Sequence, residues 1–184
     1  MLPRIVAVGL FLAGFAHAEA PAATPWERYL AVPSPEHARR VVALEYSTDG
    51  SADRPFERQD EDLALLSVQV LSGDREAVDL AFRLLQHSDG HGAETLDIML
   101  GRLIRVRPRL FLQALMVVRP HLSRLEGVVG NFGGEYVDRF DAQKYEARQR
   151  IRALRGVSDP VLQALRDECI AHLVRVVETL SERQ

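Results

Sequence analysis

Cysteine is almost absent from this chain of 184 residues, because Cys169 is the only one. A single thiol excludes a disulfide within the chain, so the fold has to be stable on its hydrophobic core alone. The spacing of apolar residues places Cys169 on the apolar face of a helix, where a thiol is normally an unreactive small hydrophobic group. We therefore do not expect a catalytic cysteine.

The motifs of two common enzyme classes are also missing. The chain has no Gly-x-Ser-x-Gly sequence, which carries the nucleophile of many hydrolases. Its longest glycine-rich stretch, residues 127–134, is not followed by the Lys-Ser/Thr pair of a phosphate-binding loop. These absences favour a binding protein over an enzyme and argue against nucleotide binding.

No apolar run reaches the roughly 20 residues that a transmembrane helix requires. Near the N-terminus, Arg4 is followed by the apolar residues 5–15 and then by a small-x-small sequence that ends at Ala18. This order is typical of a cleavable signal peptide. We therefore predict that residues 1–18 are removed after Ala18 and that the protein is periplasmic or secreted.

Lysine is as scarce as cysteine, and the charges are unevenly distributed. Lys144 is the only lysine among 23 basic residues, so the others are arginines. Residues 19–99 hold 7 basic and 16 acidic residues (net −9), whereas residues 100–184 hold 15 and 10 (net +5). For an exported chain, a basic half favours an acidic protein partner over nucleic acid. The alternatives are that the basic face meets an anionic membrane surface and that the two halves pair with each other inside the molecule.

The rest of the sequence predicts helices. Apolar residues recur at intervals of three and four, and Ser, Thr, Asp or Pro stand where helices would begin, as at Thr24, Ser34 and Asp74. One predicted helix begins at Ala93 and places five apolar residues on one face: Leu96, Met99, Leu100, Leu103 and Ile104. We predict an all-α fold: a single compact bundle of about seven helices over residues 26–184, after a mobile tether at residues 19–25. Helix pairs of about 35–45 residues are similar to α-solenoids in spacing alone, since no residue pattern repeats.

Residues 108–118 form the most apolar internal segment. Only Arg109 and Gln113 are distinctly polar in this stretch, and they lie four residues apart on one side of a helix. A helix that is apolar nearly all round is usually buried among other helices. We therefore predict that this segment is the buried central helix of the bundle.

One turn concentrates metal-binding residue types. His87, Asp89, His91 and Glu94 offer two imidazoles and two carboxylates within eight residues, which suits zinc. The competing interpretation is a solvated turn between two helices, in which Asp89 and Gly90 set the backbone geometry. The spacing is not that of an established zinc motif, so it favours the solvated turn and no cofactor.

Two further features suggest a surface for a partner. The segment around residues 127–134 contributes Asn131, Phe132, Glu135 and Tyr136, and aromatic side chains on an exposed loop are effective binding residues. The alternative is a connector whose aromatic side chains pack into the core.

The second feature is an arginine face: Arg148, Arg152 and Arg155 share one side of a predicted helix, opposite Ile151. A merely solvated helix face is the alternative. Together, these features predict an exported, non-enzymatic helical protein that binds another protein, as inhibitors and immunity-type factors do. The alternative function is a metal-dependent periplasmic hydrolase centred on the turn from His87 to Glu94. The sequence gives no indication of the oligomeric state.

Overall fold

The computed structural model describes residues 22–46 and 56–182, and every regular element within these ranges is helical. The α-helices, in chain order, are α1 (Pro25–Ala31), α2 (Pro35–Glu45), α3 (Phe56–Ser72), α4 (Arg75–His87), α5 (Gly90–Val106), α6 (Pro108–Val118), α7 (Leu125–Gly130), α8 (Phe140–Arg155) and α9 (Gln163–Glu182). Short 3-10 segments lie at Arg119–His121, Gly134–Tyr136 and Pro160–Leu162. The all-α prediction is confirmed, with nine α-helices in the described ranges against the seven or so expected.

The predicted signal peptide lies outside the described residues, as do residues 19–21 of the predicted tether. The last residues of that tether, Thr24 and Pro25, belong to the start of α1. None of the helices in the described ranges is both long enough and apolar enough to cross a membrane.

Local capping explains where several helices begin. Thr24, Ser34 and Asp74 each accept a hydrogen bond through the side chain from the backbone amide three residues later. At Thr24 the bond is reciprocal, because the Glu27 carboxylate accepts from the Thr24 amide at 2.8 Å. These side chains satisfy amides that a helix leaves unpaired at its first turn. The helix starts predicted at these positions therefore follow from short-range chemistry.

Helix α5 lies among the other helices and packs against α3, α4, α6, α7 and α8. Its buried apolar residues include the whole predicted face: Leu96, Met99, Leu100, Leu103 and Ile104. Helix α6 contributes Phe111, Leu112, Ala114 and Leu115 to the same core.

The segment predicted as the central helix, α6, is buried along one side only. Met116 is 42% exposed and Val117 is 67% exposed, at the end of the helix. Its apolar composition alone did not reveal this open side. Among the described α-helices, α5 packs against five others, whereas α6 packs against α4, α5, α8 and α9. Helix α5 is therefore the more central of the two.

Two glycines allow α5 to approach its neighbours closely. A Cβ atom at Gly101 would lie 2.8 Å from the Val128 carbonyl oxygen and 2.5 Å from the Arg150 side chain. A Cβ atom at Gly127 would lie 2.8 Å from an oxygen of Asp97. All three distances are too short for a carbon atom, so the approach of α5 to α7 and α8 depends on glycine at these positions.

Candidate functional site

The four residues predicted as metal ligands lie around the joint between α4 and α5. His87 ends α4, Asp89 directly precedes α5, and His91 and Glu94 lie in the first turns of α5, which begins three residues earlier than expected. All four side chains are exposed. The turn is therefore shorter than the sequence suggested, and two of its residues belong to a helix.

These side chains have other contacts. The Nε2 atom of His91 lies 3.1 Å from a carboxylate oxygen of Asp60 on α3, and the His87 ring packs against Tyr46 with 5.1 Å between ring centroids. Within the described ranges, no group of three or more His, Cys, Asp or Glu side chains is placed to hold a metal ion. The zinc site that the sequence offered as the less favoured alternative at His87, Asp89, His91 and Glu94 thus has no counterpart there.

The glycine-rich segment is not an exposed loop. Its first four residues form the end of α7, and Val128 and Val129 are fully buried. Phe132 is only 5% exposed and packs against Tyr136, with 6.3 Å between ring centroids. The expectation that Phe132 offers an exposed aromatic contact is therefore corrected, and the alternative of a connector packed into the core describes this segment.

A buried arginine explains why this segment turns inward. Arg150 on α8 is fully buried, and its guanidinium carbon lies 4.6 Å from the centre of the Phe132 ring. Its Nη1 donates to the backbone carbonyls of Val129 (2.7 Å) and Asn131 (2.9 Å). Burial lowers the pKa of Arg150 to about 10, although the carboxylate of Glu146, 3.6 Å away, opposes this effect. Arg150 thus ties the end of α7 to α8.

The other residues predicted in this segment have structural contacts. The Asn131 side-chain oxygen accepts from the Gly133 amide at 3.1 Å, which fixes the bend after α7. Glu135 is exposed and pairs with Arg102 on α5. Tyr136 is half-buried, and its carbonyl accepts from the Gln143 side chain at 2.7 Å. These contacts within the molecule explain the positions of Asn131, Glu135 and Tyr136, and no partner protein is needed to explain them.

A second buried charge lies where α5 crosses α7. Asp97 is 1% exposed and accepts one hydrogen bond from Arg124 at 2.6 Å, while its other oxygen is buried without a hydrogen bond. Burial raises the pKa of Asp97 to about 6, although the Arg124 guanidinium opposes this effect. Glu94, three residues earlier on the same helix, is exposed, so only Asp97 is buried.

The arginine face of α8, defined as Arg148, Arg152 and Arg155, is open to solvent. All three side chains are exposed, and none makes an ion pair with any residue that the structure describes. Tyr145 lies on the same side of the helix and is 58% exposed, so it adds an aromatic side chain to this face. Exposure of the three arginines agrees both with a partner-binding face and with a merely solvated helix face.

Other arginines of the basic half are paired within the molecule. Arg105 contacts Glu146 at 2.8 Å, Arg109 contacts Asp159 at 3.1 Å and Arg119 contacts Glu168 at 2.6 Å, and further pairs join Arg102 to Glu135, Arg124 to Asp97 and Arg166 to Asp167. Except for Asp97, these carboxylates belong to the basic half itself. Among the residues that the structure describes, the ion pairs of the basic half therefore lie mostly within that half, and the arginine face has none.

No protein-family model matches this chain, and comparison with curated proteins and with solved structures gives no match. Function is therefore inferred from the residues and their geometry.

Proposed function

We propose that this chain is an exported, non-enzymatic protein that binds an acidic partner protein through the arginine face of α8. The observation that carries the proposal is that Arg148, Arg152 and Arg155 are exposed on one side of a helix and lack ion pairs with the described residues. An acidic surface would supply the carboxylates that the molecule itself does not bring to them.

The chemistry of the face suits protein recognition. Arginine presents a planar fork of donors that binds a carboxylate through two hydrogen bonds, and it is enriched among the residues that dominate binding energy. Tyrosine shares that enrichment, and Tyr145 places a large rigid side chain beside the arginines. Three like charges on one face would also accelerate association with an acidic partner at low salt.

The location and the biological class rest on the N-terminal sequence. A chain with a signal peptide that ends at Ala18 would meet its partner in the periplasm or outside the cell. A small exported helical domain that binds one protein would act as an inhibitor or an immunity-type factor does. No observation on His87, Asp89, His91 and Glu94 favours the metal-dependent hydrolase, so we do not pursue it.

Affinity capture from the periplasmic fraction of the source organism tests the proposal. The bait is the full chain, either as the wild type or as the triple variant Arg148→Glu/Arg152→Glu/Arg155→Glu. We expect the wild type to retain a specific acidic protein at low salt and the triple variant to lose it, because reversed charges repel an acidic surface. Mass spectrometry of the bound fraction identifies the protein.

The matched control is Arg39→Glu/Arg75→Glu, which reverses two exposed arginines on α2 and α4, away from α8. This control should capture the partner as the wild type does. Equal capture by the wild type and the triple variant would refute the role of the arginine face. Intact mass of the exported protein checks the predicted cleavage after Ala18 independently.

A further inference from the structure

A large groove lies beside the arginine face. It has a volume of about 930 Å³ and separates the start of α6 from the end of α8 and the segment that follows α8. Ala153 and Gly156 line it, and they directly follow Arg152 and Arg155 of the arginine face in the sequence. The groove and the arginine face therefore share the C-terminal end of α8.

The lining of this groove combines apolar and charged residues, and its apolar part is called the floor. The floor consists of Pro108, Leu110, Val157 and Pro160. Arg107 and Arg109 are exposed and line the groove as well, against a single carboxylate, that of Asp159. The Arg107 guanidinium also donates to the Ser72 carbonyl at 3.2 Å. A groove of this size with apolar surface and a few charged groups has the character of a binding site, and its excess charge is positive.

The one ion pair in the groove can open without loss of structure. Arg109 lies 3.1 Å from one oxygen of Asp159, and the Arg109 side chain is 68% exposed, so the pair contributes little to stability. The other oxygen of Asp159 accepts from the Val161 amide at 3.1 Å, which holds the carboxylate in place independently. Arg109 can therefore exchange Asp159 for a carboxylate of a ligand.

We propose that the groove binds an acidic peptide segment of the partner protein, with one apolar side chain on the groove floor and carboxylates on Arg107 and Arg109. This inference rests on the proposed function, because the same partner would continue along α8 to the arginine face. The excess positive charge favours an acidic peptide, and the apolar floor favours a peptide that also carries an apolar side chain. A basic or purely polar peptide satisfies only part of the site.

Fluorescence anisotropy with labelled peptides tests this site on the full chain. The probe is an acetylated Glu-Glu-Leu-Glu-Glu peptide, with Lys-Lys-Leu-Lys-Lys and Glu-Glu-Ser-Glu-Glu as comparison peptides. We expect only the first to bind well, and we expect Arg109→Ala to raise its Kd about tenfold through loss of a charged hydrogen bond. Equal binding of the serine peptide, or no binding of the leucine peptide, would overturn the proposal.

A matched pair of substitutions at Ser158 separates charge from bulk. Ser158 is exposed and lines the groove, so Ser158→Glu should leave folding unchanged and weaken the acidic peptide about tenfold by repulsion. Ser158→Gln, which has nearly the same size without the charge, should bind as the wild type does. Equal Kd values for the two variants would overturn the groove as the peptide site, and thermal unfolding confirms that both variants are folded.

The outcomes also separate this inference from the proposed function. If the arginine-face variant loses the captured partner while Ser158→Glu retains it and binds the peptide normally, the proposed function stands and the groove inference is overturned. If the peptide binds as expected but the arginine-face variant captures the partner normally, the proposed function fails through its own test.

Discussion

Charged side chains are buried near α5, whereas other charged side chains on the outer side of α8 are exposed to solvent. Arg150 and Glu146 lie inside, between α5, α7 and α8, and Asp97 lies with Arg124 at the crossing of α5 and α7. Arg148 lies only two residues from Arg150 on the same helix, yet it is exposed and makes no ion pair with a described residue. Helix α8 thus presents one charged side to the core and another to solvent.

This contrast shows which charges the fold itself requires. Burial of an unpaired charge costs several kcal/mol, so charges inside a protein remain only where other groups bind them. Arg150 meets that condition in part, through the Glu146 carboxylate and two backbone carbonyls, whereas its Nε and Nη2 atoms are buried without a hydrogen bond. The outer arginines are solvated at no such cost, and their shared placement contributes nothing evident to folding. Under the proposed function, a partner outside the molecule would explain that placement.

The sharpest way to test the contrast is to truncate one arginine on each side of α8. We expect Arg150→Ala to lower the free energy of unfolding by about 3–5 kcal/mol, because it leaves Glu146 and two carbonyls in the interior with fewer partners. Arg148→Ala should change it by less than about 0.5 kcal/mol. Urea denaturation followed by circular dichroism measures both values, and similar losses for the two variants would contradict the distinction.

The buried carboxyl group of Asp97 should make stability depend on pH. Its pKa is raised from 3.8 to about 6 in the folded protein, so the folded state binds more protons than the unfolded state between these values. The contribution of Asp97 to the free energy of unfolding should therefore be greatest below about pH 4. About 3 kcal/mol of this contribution should be lost as the pH rises through about 6. Asp97→Asn should remove this component of the pH profile. Identical pH profiles of the unfolding free energy for the two proteins would show that the pKa of Asp97 is not raised in the folded protein.

The close approach of α5 to α7 and α8 can be disturbed without changing any charge. Gly101→Ala places a methyl group against Arg150 and the Val128 carbonyl, and we expect it to cost about 1–3 kcal/mol by overpacking. Gly134→Ala is the matched control, because a Cβ atom there has no neighbour within 4 Å. Thermal unfolding should show a lower Tm for the first variant only, and an unchanged Tm for Gly101→Ala would mean that the crossing can relax.

Much of the fold was predictable because the helix starts depend on interactions between residues that are close in sequence. Side-chain caps at Thr24, Ser34 and Asp74 start helices where the sequence indicates them, and α6 has the predicted bounds. Such signals involve residues three or four apart and need no knowledge of distant contacts. The exposed positions of Arg148, Arg152 and Arg155 likewise follow from helical spacing around α8.

Which side chains of the candidate site are buried depends on tertiary contacts, so their burial was harder to predict. Phe132 is buried because Arg150, eighteen positions later, lies over its ring, and no local pattern reveals that contact. A usable signal did exist for Arg150 itself, since it lies among the buried residues Ala147, Ile151 and Leu154 of α8. A charged residue within an apolar stripe predicts a buried ion pair more often than a surface patch.

The proposed function is tested most directly by the affinity of the captured partner for the wild type and for the triple variant of the arginine face, at low and at high salt. We predict a Kd at least about a hundredfold higher for the triple variant at low salt, and a much smaller difference at about 1 M salt, where exposed charges are screened. Equal affinities at low salt would contradict the claim that Arg148, Arg152 and Arg155 bind an acidic partner.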